Sequence, residues 1–328
     1  MSPAGEWLID SFRHRGAAAR DRNHLPARFY RQLPKLAEGA LHGYPRVHAL
    51  IWAFVAHTDS RFEVEPLRRT ITAYQQVQPL TIGELWAIAI SLRLVLIENL
   101  RRLADAIVSD RDARDRADRL ADTLLQGDPE AAGGSAARLA QLERAPLDPA
   151  FAVQLLARLR ECDPELQPTL GWLDAQLARR GTTADEAVRA QHLQQIATLT
   201  SIRHAITSLR GVAAVDWSDF VEQVSLVDQA LRDGTPYDTY DFATRDRYRH
   251  AVEELARQRP ATEREIATRA AHHARAATGR AADPGYWLVA QGRADLEAEP
   301  GSAPPWASAC AARCGASRRS RTSGASPR

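Results

Sequence analysis

Lysine is nearly missing from this chain: of 43 basic residues, Lys35 is the one lysine. It sits in Leu-Pro-Lys-Leu, not Gly-Lys-Ser/Thr, so a phosphate-cradling P-loop is excluded. Arginine and alanine in its place reflect GC-rich coding rather than a chemical demand. Cysteine is equally scarce. Cys162, Cys310 and Cys314 do not form a disulfide framework, and Cys310-x-x-x-Cys314 lacks the second pair that a zinc site needs. A reducing cytoplasm is the expected compartment. Long hydrophobic runs are missing too. The most apolar stretch, Leu85 to Ile97, is interrupted by Arg93 and falls short of the roughly 20 residues a spanning helix requires. The start, Met1 to Trp7, carries Glu6 where a signal peptide wants a basic flank.

What is present is enough for one large core or two modest ones: 328 residues, 45% hydrophobic. The net charge of +2 is unevenly spread. Arg313, Arg318, Arg319, Arg321 and Arg328 give residues 307–328 a charge of +5, leaving −3 for the rest. A mildly acidic body has no basic stripe for nucleic acid, and a short Arg/Ser/Ala tail reads as solvated and disordered.

The apolar spacing is helical almost throughout and predicts an all-α array around one long central helix. A first helix is expected over 4–21, with Trp7, Leu8 and Phe12 inward. Phe29, Tyr30 and Leu33 pack between Pro26 and Pro34, and Pro45 opens a helix at its first turn. Val47, Leu50, Ile51, Phe54 and Val55 form its buried face, repeated over 63–77 by Leu67, Ile71 and Tyr74. Thr81-Ile-Gly-Glu84 is a capping box. It opens a helix expected to run unbroken from 82 to 126. The first half is apolar nearly all round, so it should be enclosed; any part left uncovered would expose apolar surface and drive self-association. The second half carries Asp112–Arg116 and Asp115–Arg119 at i,i+4.

Asp128-Pro to Ser135 is the clearest break. It predicts a subdomain 1–127, a linker 128–135, a second subdomain 136–298 and a tail 299–328 whose composition suits a shifted reading frame. Helices are expected at 136–144, 149–161, 164–179, 183–210, 217–232, 243–258 and 263–278, with capping boxes at Thr183–Glu186 and Thr262–Glu265. Alternation long enough for a sheet is absent.

The chemical candidates have structural readings. His57-Thr-Asp59-Ser60 does not by its spacing alone make a nucleophile, which needs a strained elbow or similar exposed turn, and its His and Asp are expected to finish a helix. His272 and His273 are adjacent, hence on different faces, where helical metal pairs want i,i+4. Glu84 serves its cap. A buried Glu98, beside Asn99 and Arg101, needs a partner such as Arg46 or Arg61. Trp52, Trp86, Trp172 and Trp217 lie in apolar stripes and are expected as core.

Several segments together carry a family resemblance: Tyr44-Pro-Arg-Val-His48, His57–Arg61, Gln78-Pro-Leu-Thr-Ile-Gly-Glu-Leu-Trp86, Leu96–Arg101, Ala187–Ala190, Ser201–Arg210, Val215-Asp-Trp217, Val224–Asp228, Asp241–Arg249 and Asp283-Pro-Gly-Tyr286. In this order they resemble the amino-terminal region of the bacterial cyclic β-1,2-glucan synthases, over roughly residues 5–295. These are membrane enzymes that polymerise glucose from UDP-glucose. The resemblance implies a cytoplasmic helical region whose partner is the rest of the synthase, with UDP-glucose and a divalent metal bound in a domain outside this chain. The family's Gln-x-x-Arg-Trp acceptor motif is absent from these residues. Asp110-Arg-Asp112 matches its Asp-x-Asp by letter only, because i and i+2 on a helix diverge by about 200°. No catalytic, cofactor-binding or metal-ligating residue is assigned, and the chain alone is expected to be inactive. The alternative is a free-standing helical interaction module.

Overall fold

The computed structural model describes residues 33–125, 147–160 and 167–298. Among them the protein is all-α, with thirteen α-helices; the one extended pairing is an isolated antiparallel bridge between Lys35 and Pro45. The helices expected at 4–21 and 136–144, the break at 128–135 and the tail from 299 lie outside the described residues. In chain order the helices are α1 (Arg46–His57), α2 (Val64–Val77), α3 (Ile82–Trp86), α4 (Ile88–Leu125), α5 (Pro149–Arg160), α6 (Gln167–Arg179) and α7 (Ala184–Ala214). After these come α8 (Trp217–Val224), α9 (Leu226–Arg232), α10 (Phe242–Gln258), α11 (Glu263–Ala276), α12 (Pro284–Val289) and α13 (Arg293–Ala298).

Two helices are broken where the sequence predicts continuity. The helix after Thr81 stops at Trp86, because Ala87 turns to φ −78°, ψ −9°, too little ψ rotation to carry the i→i−4 ladder onward. The helix expected over 217–232 is two, because Ser225 is extended at φ −69°, ψ 118°. Ser225 Oγ accepts the Asp228 N–H at 3.1 Å, capping α9. The Val224 carbonyl at the break accepts from Gln75 Nε2 at 2.8 Å. A side chain on α2 thus satisfies a backbone group that would otherwise be buried unpaired. The three predicted capping boxes all form, at Thr81, Thr183 and Thr262.

The described residues fall into two units. The first takes 50–63 and the described part of 90–214; the second takes 33–49, 64–89 and 215–298. Both draw on chain from either side of 128–135.

In the first unit, Ala113, Ala117 and Ala121 are completely buried at i,i+4 spacing on α4. Their methyl groups let Phe151, Leu155 and Leu159 of α5, together with Leu173 of α6, pack close to the helix. Charges flanking this seam pair across it: Arg116 reaches Asp148 at 3.8 Å, and Arg158 reaches Asp118 at 3.7 Å and also Asp122. The expected Asp112–Arg116 pair is replaced by this interhelical one. No residue from Leu80 to Leu100 is exposed, so the stretch predicted to leave an apolar patch is covered. Exposed apolar side chains stand on α7, at Val188, Leu193, Ile196 and Leu199, and singly elsewhere, as at Val77 of α2 and Val108 of α4.

In the second unit, α9 to α12 share a core of Val227, Leu231, Tyr237, Val252, Leu255, Ala267, Ala270 and Leu288. Gly285 is compulsory there: a Cβ would lie 2.0 Å from the Tyr248 hydroxyl oxygen.

Candidate functional site

The segments that carry the family resemblance find one another in space, as three sets of structural locks. The first joins Arg46 to Glu84. Arg46 Nε and Nη2 donate to Glu84 Oε1 and Oε2, each at 2.6 Å, and Nη2 also donates to the Pro79 carbonyl at 2.7 Å. Glu84 is fully buried and simultaneously accepts the Thr81 N–H at 2.9 Å. One carboxylate therefore closes a helix cap and fixes a guanidinium from α1, in the bidentate geometry that favours arginine.

The second lock holds the turn after α1. Asp59 and Ser60 both take positive φ, 48° and 63°, a conformation that side chains with a Cβ rarely adopt and that neighbours must impose. The neighbours are on α7 and α4. Ser208 Oγ donates to the Ser60 carbonyl at 2.7 Å and accepts the Phe62 N–H at 2.8 Å. Asn99 Nδ2 donates to Ser60 Oγ at 2.6 Å, while Ser201 Oγ donates to Asp59 Oδ1 at 2.5 Å.

The third is a buried ion network. Arg249, 1% exposed, donates to both oxygens of Asp228 at 2.8–3.1 Å and to Glu222 Oε1 at 2.5 Å. Tyr237 donates its hydroxyl to Asp228 Oδ1 at 2.6 Å. Burial, and then the Asp228 carboxylate, push that phenol far above its ordinary range, so it stays a donor.

Against these locks, the chemical candidates are dispersed. Asp110 accepts from Gln191 at 2.9 Å, whereas Asp112 is exposed. His57 is exposed while Ser60 is buried against Asn99, so they build no nucleophile. Glu98 is not buried against Arg46 or Arg61; it lies at the surface and pairs with Arg101 at 2.7 Å, which holds its carboxyl below the usual range. His273 stacks on Trp287, centroids 4.7 Å apart. Among the described residues no three His, Cys, Asp or Glu side chains gather as a metal site. Trp52, Trp172 and Trp217 are half-buried.

Trp86 is also half-buried rather than core, and it marks a cleft of about 390 Å³ in the second unit. Trp86 and Phe242 meet edge to face there, centroids 6.4 Å apart and planes at 88°. Asp246, His250 and Glu253, on the same face of α10 as Phe242, also line it, together with Ser218 of α8. Arg249 lies under Phe242, its guanidinium carbon 5.3 Å from the ring centroid. The buried network thereby sets the ring that faces the cleft. Ile82 also lines the cleft, and its N–H, the first amide of α3, donates to Glu263 Oε2 at 2.7 Å. Burial raises the Glu263 carboxyl to about 7; the Ile82 bond and Arg257 oppose this, and the Glu253 and Glu84 charges add to it. Sequence reading missed this cleft because its parts come from three segments far apart in the chain. The signal available was Phe242, Asp246, His250 and Glu253 recurring on one face of a single helix.

No family model matches the chain. The cyclic beta-(1,2)-glucan synthase NdvB of Rhizobium meliloti (strain 1021) is 36% identical to it over 315 residues, which is 93% of this chain. The chain spans 11% of that relative's length. With identity at this level running through nearly all its residues, the chain belongs to the cyclic β-(1,2)-glucan synthase family.

Proposed function

We propose that this chain is a non-catalytic helical region of a cyclic β-1,2-glucan synthase, cytoplasmic, serving a structural or regulatory role. UDP-glucose and its divalent metal are handled in modules beyond it, and the rest of the synthase is its partner. The carrying observation is the 93% to 11% asymmetry of the match: most of the relative has no counterpart in this chain. No helix among the described residues is long and apolar enough to cross a membrane. Purified chain supplied with radiolabelled UDP-glucose and Mg²⁺ or Mn²⁺ is expected to form no glucan. Labelled product that disappears in Asp110→Ala would overturn the reading.

A second reading, a helical module that self-associates, draws on the exposed Val188, Leu193, Ile196 and Leu199 of α7. Light scattering on the same preparation separates the two: a dimer that Leu193→Glu dissociates favours the module, and a monomer at all concentrations removes it.

A further inference from the structure

We propose that the outward face of α7 over 188–203 is a docking seam for an acidic amphipathic helix. Along this stretch the helix is inverted. Its inward edge holds Gln191, buried and donating to Asp110 at 2.9 Å, with Ala187, Gln195 and Thr198 half-buried. Leu193, Ile196 and Leu199 face water instead, at 66%, 49% and 45% exposure. Helices that meet only water on their outer side turn the large apolar residues inward, and a contiguous exposed apolar set marks a surface that a partner covers. At 3.6 residues per turn, Arg189, His192, Ile196, Leu199 and Arg203 fall within about 80° of one another, with Val188 on one flank and Leu193 on the other. Their three-and-four spacing is that of a two-helix seam, about 23 Å long. Ile206, which continues the same line past Arg203, is buried, so the open seam ends there.

Charge selects the partner. From Ala187 to Ala214, α7 has no acidic residue. The two acids of its first turn are engaged: Asp185 pairs with Arg160 at 3.1 Å, and Glu186 closes the cap on Thr183. Arg189 spends one N–H on the Asp185 carbonyl, at 3.2 Å, and keeps the others for a partner. The seam therefore offers Ile196 and Leu199 at its centre, with Arg189 and Arg203 one heptad to either side of Ile196. A helix with apolar residues at its central seam positions and Asp or Glu beyond them satisfies both. A second copy of this chain does not. Parallel pairing sets each arginine against its twin, and antiparallel pairing about Ile196 sets Arg189 against Arg203. An anionic bilayer fits less well, because both arginines lie on the centre line between Val188 and Leu193 and would be carried in with the apolar side chains. Placing the acidic helix in the rest of the synthase rests on the function proposed above; the chemistry of the seam does not.

The test is fluorescence anisotropy of a labelled, designed helical peptide titrated with the full chain. The peptide carries leucines at its central seam positions and glutamates one heptad to either side. A counterpart with lysines for the glutamates, and phosphatidylglycerol vesicles, are the comparisons. Saturable binding of the acidic peptide is expected, weakening as salt rises, with little binding of either comparison. Ile196→Asp should weaken it by about tenfold or more while leaving the circular dichroism spectrum and melting unchanged, since the side chain faces water. Arg203→Glu should weaken the acidic peptide by about two- to fivefold and strengthen the lysine one, an exchange that loss of folding cannot produce. Absence of saturable binding by folded chain, equal binding of the two peptides, preference for the vesicles, or a dimer that Ile196→Asp dissociates would each overturn the assignment. Glucosyl transfer by the same preparation would overturn the proposed function and leave this seam standing.

Discussion

Glu263 carries a charge in a place that disfavours it. Its carboxyl titrates at about 7, against 4.5 for an ordinary glutamate, chiefly through burial. A folded state that binds this proton more tightly than the unfolded state is stabilised at low pH relative to high. The contribution is unaffected below the unfolded value of 4.5, declines as pH rises, and is fully lost above about 7. A shift of this size corresponds to on the order of 3 kcal/mol. Glu263→Gln keeps an acceptor for the Ile82 N–H and removes the charge. Urea unfolding from about pH 5 to 8 should show the parent losing stability as pH rises and the variant losing markedly less. Parallel pH profiles would mean that burial of this carboxyl is not what couples stability to pH. At this scale the sequence was legible where partners are close in the chain, as in the Thr81–Glu84 box. It was not where they are distant. Glu98 and Glu84 both lie near apolar residues, yet Arg46 pairs with Glu84, 38 positions away, while Glu98 has Arg101 within three residues and an exposed carboxylate.

Helices were legible through their periodicity, and their breaks were not. Nothing in the residues 217–232 marks Ser225 as a boundary except that serine caps well; the break is made tolerable by Gln75, which takes the Val224 carbonyl from α2. The alanines of α4 were hidden in the same way. Ala113, Ala117 and Ala121 stand among Asp and Arg, in a half-helix whose sequence suits either solvent or a partner helix, and they form a buried seam of the first unit. That packing has a direct test. Ala117→Leu adds three carbons where the neighbours already touch, and should destabilise by about 1–3 kcal/mol, as overpacking does, read as a lower denaturation midpoint at unchanged slope. If α4 were solvated at this point, leucine would be close to neutral.

Across the whole molecule, the sequence suggested subdomains divided near 128–135, and the described residues group into two units made of interleaved segments. Punctuation by glycine and proline reports where the chain turns, not which turns become neighbours, so this grouping had no local signal. A fragment ending at residue 127 is therefore expected to be poorly folded. It leaves the alanine seam of α4 without α5 and α6, Ser60 without Ser208, and Gln75 without the Val224 carbonyl. Circular dichroism of that fragment should show reduced helix and no cooperative melt. A sharp transition with native-like helicity would show that residues 1–127 fold as a unit of their own.

The interleaving has a further consequence on the ribosome. Residues 33–49 and 64–89 emerge early, but the remainder of their unit begins only at Val215. Throughout synthesis of residues 90–214 those early segments wait without α8 to α12, their apolar faces open to other contacts. Closing them means joining segments separated by that whole intervening stretch, a long-range step that folds slowly and leaves intermediates exposed to aggregation. Arg46 and Glu84 are both made early and lie on the same side of that gap. Their lock can close at once and hold the start of α1 beside α3 while the rest of the chain is still being made.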